Sequence, residues 1–145
     1  MKKIRAVFFD MGGTIDTYHH TCEMRLEQTS GIHQLLLSAG IDLGLSIEKL
    51  YEVITSGLER YHTWCVNSLE ELSPKVVWGS YILRDFSFDR VALDAVAEDL
   101  ACFIEMRFYK RDLRPEIPPV LEKLHKLGLK IGLISNVNSR GQVPA

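Results

Sequence analysis

The residues Asp10-Met11-Gly12-Gly13-Thr14-Ile15-Asp16 directly follow the largely apolar run Ile4, Ala6, Val7, Phe8 and Phe9. A short apolar run bounded by turn residues predicts a buried strand, and the glycines after it let the backbone turn sharply with its N–H groups directed inward. Asp10 places a carboxylate at the strand's end, an oxygen nucleophile or a metal ligand, and Thr14 adds a hydroxyl. A strand that ends in this way is built to hold an anion against a nucleophile. It also points to an open parallel sheet, where ligands bind at the carboxyl ends of the strands.

A second apolar run fits the same sheet. Pro115, Pro118 and Pro119 punctuate the start of a helix whose Val120, Leu121, Leu124 and Leu127 face one way, and Gly128 stands where a C′ glycine ends a helix. Lys130-Ile131-Gly132-Leu133-Ile134 then reads as a buried parallel strand that stops at Ser135-Asn136. Helix, glycine and strand in this order form half of a βαβ crossover whose partner is the first strand. Neighbouring strands would bring Asp10 and Ser135 together across most of the chain.

Between the two strands the signals are helical. Thr17 to Ser30 is a mostly polar connector in which Thr29-Ser30-Gly31 breaks any helical periodicity, and a helix begins after Ser30 as N-cap, carrying Ile32, Leu35, Leu36 and Ala39 and stopping at Gly40. Ser46 caps a second helix with Ile47, Leu50, Tyr51, Ile54, Leu58 and Tyr61 in one stripe. A third follows Ser73-Pro74 with Val76, Val77, Tyr81 and Ile82, and a fourth follows Asp89 with Val96, Leu100, Phe103, Ile104 and Phe108. Four amphipathic helices with short connections predict an all-helical bundle inserted over residues 17–112. The domain organisation expected is therefore a core from 1–16 and 113–145 with a helical domain at 17–112.

Composition narrows the function classes. The 145 residues are 46% hydrophobic and 25% charged, and a net charge of −2 gives no basic field for nucleic acid or an anionic membrane. No apolar run approaches the roughly 20 residues that span a bilayer, so the expected location is the cytoplasm. Cys22, Cys65 and Cys102 are odd in number and widely spaced, which suits reduced thiols. His19, His20 and Cys22 read as part of the polar connector, Lys49 as a solvated helical residue, and Trp64 and Trp78 as packing residues.

The stretch from Ile4 to Asp16 resembles motif I of the haloacid dehalogenase (HAD) superfamily, a few apolar residues followed by D-x-D-G-T-[IL]-x-D, with Gly12 standing where most phosphatases of that superfamily have a second aspartate. Ser135 resembles motif II, and the helical insert sits where type C1 caps sit. The resemblance implies a Rossmann-like α/β core, here its N-terminal part, with a helical cap. It further implies that Asp10 attacks phosphorus while its other oxygen and the Gly12 carbonyl bind Mg²⁺. Thr14 and Ser135 would hold the phosphoryl oxygens, with Asn136 beside Ser135 and the amides of Gly12 and Gly13 completing the cradle.

Two features bear on activity. No carboxyl side chain at position 12 is present to protonate a leaving alkoxide, help that is typically worth ~10²–10⁴ in rate. The superfamily's motif III lysine and motif IV acidic pair would lie beyond Ala145, so the expectation is a truncated product, a fragment or a degenerate relative. The outer edge of the second strand is then bare, which predicts self-association. Three readings stay open: a Mg²⁺-dependent phosphatase acting on a small phosphorylated metabolite, a phosphonoacetaldehyde hydrolase-like or dehalogenase-like enzyme, and a non-enzymatic binding module.

Overall fold

A computed structural model of the chain describes residues 3–135. Over these residues the chain divides into two compact units, one of 3–19 with 109–135 and one of 20–108.

The first unit is α/β. Strand β1 (Ala6–Phe9) pairs in parallel with the strand at Lys130–Leu133, the last in the chain. Val7 stands opposite Ile131, Phe8 opposite Gly132 and Phe9 opposite Leu133. The pairing extends by one bond at each end, from Lys130 N–H to Arg5 O at 3.0 Å and from Ile134 N–H to Phe9 O at 2.9 Å. Gly132 has a specific reason. A Cβ there would lie 2.7 Å from the Phe8 ring, which occupies the space above the neighbouring strand.

A second pairing completes the unit. Strand β2 (Asp16–His19) lies antiparallel to β3 (Lys110–Leu113), with Asp16 opposite Leu113 and Tyr18 opposite Arg111. This corrects the all-helical reading of 17–112 at both of its ends, and it corrects the connector reading of 17–19. The residues involved carry no apolar alternation, and each strand's partner lies more than ninety positions away, so nothing local announces the ribbon.

After β3 comes a helix, Ile117–Lys126, with prolines in its first turn. Gly128, at φ +71°, closes it by donating its N–H to His125 O, while Leu129 N–H reaches Leu124 O. The strand at Lys130–Leu133, β4, follows directly.

The second unit holds nearly all of the buried core. Its helices are α1 (Cys22–Ser38), α2 (Ile47–Ser68), α3 (Pro74–Val76) and α4 (Arg90–Arg107), which makes the helix after β3 α5. Ile32, Leu36, Leu50, Ile54, Trp78, Leu93, Leu100 and Phe108 are all buried. Ser46 caps α2 through Lys49 N–H and Asp89 caps α4 through Val91 N–H, as the sequence predicts. Helix α1 starts earlier than predicted. Thr21, whose hydroxyl accepts from Met24 N–H, is its N-cap, and the helix runs unbroken through Ser30 and Gly31. Gly31 is no breaker but a contact point, because a Cβ there would meet the Phe103 ring at 2.2 Å.

The third predicted helix begins at Pro74 but widens into a π-helix at Val77–Ile82. Val77 and Trp78 are buried, and so are Ile82 and Leu83 five positions on. That spacing suits i→i+5 bonding, seen in Leu83 N–H donating to Trp78 O at 2.8 Å. Arg60 on α2 donates from Nη2 to Tyr81 O at 2.6 Å, satisfying a carbonyl near the end of the wide turn. Tyr61, Trp64 and Tyr81 form a half-buried aromatic cluster beside it, with ring centroids 5.4–6.3 Å apart. Lys49 is exposed and pairs with Glu52.

Two glycines in this unit predict unequal responses to alanine. At Gly57 a Cβ would lie 2.5 Å from the Cα of Ile82, a backbone atom that cannot step aside, whereas at Gly79 it would meet the mobile tip of Arg90. The helical gain of alanine is about 1 kcal/mol. Overpacking against a fixed backbone costs about 1–3 kcal/mol. Chemical denaturation is therefore expected to show Gly57→Ala destabilised by up to about 2 kcal/mol and Gly79→Ala within about 1 kcal/mol of the parent.

Candidate functional site

The site is built on the loop that leaves β1. Met11 O accepts three amides at once, from Thr14 at 3.2 Å, Ile15 at 2.9 Å and Asp16 at 3.2 Å. So tight a turn needs a residue with positive φ, and Gly13 supplies it at +77°. Gly12 has an ordinary φ, and no heavy atom lies within 4 Å of where its Cβ would stand. The two neighbouring glycines are thus not equivalent. One is required by the backbone and the other is not.

The loop is tied to the chain segment that returns through β3. Asp16 Oδ2 accepts from Arg111 Nη1 at 3.0 Å, with the carboxylate the more buried partner of the two. Its Oδ1 is buried without a hydrogen-bond partner among the described residues. Arg111 also lies 5.8 Å from the centroid of the Tyr18 ring, whose edge-to-face partner is Tyr109 at 5.9 Å. One residue past β3, Arg114 donates its backbone N–H to Ile15 O at 3.0 Å and its Nη1 to Gly13 O at 3.1 Å.

The predicted site residues fall as follows. Asp10 follows the last residue of β1 and is exposed, as are Gly12, Gly13 and Thr14. Ser135 follows β4 by two positions and is half-buried. The parallel register sets the carboxyl ends of β1 and β4 side by side, so Asp10 and Ser135 both emerge at the same end of the sheet. Asn136 lies outside the described residues. His19 is on β2 and faces Asp112 at 3.9 Å, both exposed, while Cys22 opens α1. Arg111 and Arg114 were not singled out by sequence reasoning. Their partners are about a hundred positions away, and no spacing within the sequence signals such contacts.

Chemically, the loop offers an exposed carboxylate, a hydroxyl and the amides of Gly12 and Gly13. The amides after these are occupied by Met11 O. A family model for haloacid dehalogenase-like hydrolases matches residues 4–144. The chain belongs to the haloacid dehalogenase-like hydrolase family. No curated protein and no solved structure matches it. Membership of this HAD-like family carries an α/β fold and a general hydrolase role, and the family generally uses Mg²⁺. Among the described residues no helix is long and apolar enough to cross a membrane.

The unequal glycines of this HAD-like loop are directly testable. A left-handed residue other than glycine costs roughly 1–2 kcal/mol. Gly13→Ala is expected to lose about that much, whereas Gly12→Ala gains up to about 1 kcal/mol by restricting the unfolded chain. Urea denaturation of the two variants measures the difference.

Proposed function

We propose that the chain handles a phosphoryl group with Asp10 as nucleophile, as part of a phosphatase acting on a small phosphorylated metabolite. The observation that carries this reading is the exposed carboxylate directly after β1, next to a loop whose turn is closed on Met11 O. A carboxylate oxygen of Asp10 would attack phosphorus as the bond to the leaving oxygen breaks, giving an aspartyl-phosphate and an alkoxide that takes a proton from water. A second water would then cleave the acyl-phosphate, releasing phosphate and restoring Asp10. Thr14 and Ser135 would hold the phosphoryl oxygens through their hydroxyls, and the amides of Gly12 and Gly13 would face the charge that develops there.

The donor set suits Mg²⁺. The Asp10 carboxylate and the Gly12 carbonyl are hard oxygen ligands, the type Mg²⁺ takes, and both belong to the loop that starts at the end of β1. Bound there, Mg²⁺ would offset negative charge on the phosphoryl group. Asp10 is the one carboxylate assigned to the metal in this reading, and Mg²⁺ prefers octahedral oxygen coordination, so binding is expected to be weak.

In this reading residues 20–108 act as a helical cap of the C1 type that selects the substrate, in a cytoplasmic protein. The exposed apolar side chains of the sheet, Phe8 at 62% and Leu133 at 58%, support self-association through this unit. One observation favours a second reading, a binding module without turnover: Gly12 offers no proton donor in a position where the backbone leaves room for one.

Turnover of aryl and alkyl phosphates separates the two. Aryl phosphates release a stable phenolate and need little acid help. The expected result is very low aryl phosphatase activity in Mg²⁺ that Asp10→Asn abolishes. Gly12→Asp is expected to speed alkyl phosphate turnover more than aryl, by up to the ~10²–10⁴ that general acid–base help supplies. Phosphate binding without any Asp10-dependent turnover, in the parent chain and in Gly12→Asp alike, would establish the binding module instead.

A further inference from the structure

Arg114 meets the loop through both its backbone and its side chain, and the two contacts do different work. The backbone bond to Ile15 O joins the segment after β3 to the end of the loop. The side-chain bond reaches back to Gly13 O at 3.1 Å. That carbonyl belongs to the same rigid peptide plane as the Thr14 N–H, which donates to Met11 O. The plane is therefore gripped from both sides, its oxygen by a guanidinium and its N–H by a carbonyl. Since Gly13 precedes it at φ +77°, in a conformation with wide freedom, nothing in the glycine itself would fix that plane.

The guanidinium is itself held. Its Nε and Nη2 both lie 2.8 Å from Glu116 Oε1, which leaves Nη1 for Gly13. The backbone N–H of Glu116 and then the Arg114 side chain keep the Glu116 carboxyl below its usual value of 4.5. A lowered carboxyl pKa means the contact is present at and above pH 4.5 and is lost as pH falls through the lower folded value.

We propose that Arg114, braced by Glu116, is a positioning residue for the phosphoryl cradle: it fixes the Gly13–Thr14 peptide and with it the aim of the Thr14 hydroxyl. This rests on the phosphoryl-binding reading above. Arg114 touches no phosphoryl oxygen in this role and acts through the loop. Lysine replaces it only in part, because a single ammonium lacks the planar fork that spans Glu116 and Gly13 together.

The test uses the full chain with Arg114→Ala, Arg114→Lys and Glu116→Gln. The backbone bond to Ile15 survives in all three, so loss of the side chain is read without detaching the segment. Amide hydrogen exchange in the free protein is expected to speed up at Thr14 by about tenfold in Arg114→Ala, the contribution of a charge-assisted hydrogen bond, while Tyr18 in the β2–β3 ribbon stays unchanged. Arg114→Lys and Glu116→Gln are expected to show smaller shifts in the same direction.

Titration with inorganic phosphate in Mg²⁺, followed by ³¹P NMR, supplies the functional readout. About tenfold weaker binding in Arg114→Ala, partly recovered in Arg114→Lys, supports positioning. Unchanged Thr14 exchange overturns the proposal, as does faster exchange with unchanged phosphate affinity. Should the parent chain bind no phosphate while Thr14 exchange still responds to Arg114→Ala, the loop brace stands and the phosphoryl-binding reading fails.

Discussion

The parallel pairing of β1 with β4 is the constraint on which the first unit depends, because it joins the strand that leads into the loop to the last strand described, in a fixed register. A slip of one residue would turn Phe8 away from Gly132 and set its ring against a residue with a side chain. The register therefore carries its own check, written in the pairing of the largest and the smallest side chains of the sheet. It also decides that Asp10 and Ser135 leave the sheet at the same end. Chemistry at the site is downstream of that choice.

The same sheet is poorly covered. Parallel strands are ordinarily buried on both faces, yet Phe8, Leu133 and Ile134 are each more than half exposed, and Ile117 is the one buried apolar side chain of this unit among the described residues. The helical unit is the opposite case, with Trp78, Phe108 and a set of leucines and isoleucines fully enclosed. Burial stabilises by about 25 cal/mol per Å² of apolar surface, so the stabilising surface is concentrated in residues 20–108. The loop after β1 gains its order from hydrogen bonds to Met11, Arg111 and Arg114 more than from a core beneath it.

What could be read from the sequence follows the range of the interaction involved. The two short apolar runs, the caps at Ser46 and Asp89 and the closing Gly128 are signalled by neighbours within a few residues, and each stands where the sequence puts it. The ribbon of β2 and β3 depends on pairing between distant polar segments, which have no periodicity to betray it. Gly31 looked like a breaker because the ring of Phe103, which explains it, is seventy positions away. The π-helix is set by packing, since buried Trp78 and Ile82 at a four-residue spacing are equally compatible with an ordinary α-helix. In the site, Asp10, Gly13 and Thr14 were legible from their order along one loop, whereas Arg111 and Arg114 act across the fold.

The loop separates what the fold demands from what the chemistry demands. Met11 O, Gly13 and Arg114 together define the turn, and of the two glycines only Gly13 has a backbone angle that other residues avoid. Gly12 has an ordinary φ and open space around its missing side chain, so an aspartate would be accommodated there without strain. The departure from the superfamily's usual motif therefore falls at a position where glycine is not needed for folding. A residue set by neither sterics nor backbone conformation is free to reflect function, and in the proposed phosphatase it would withhold a proton donor while leaving Asp10 and its loop intact. On that proposal the effect of Gly12 falls on proton transfer, because the turn beside Asp10 is set by Met11 O, Gly13 and Arg114.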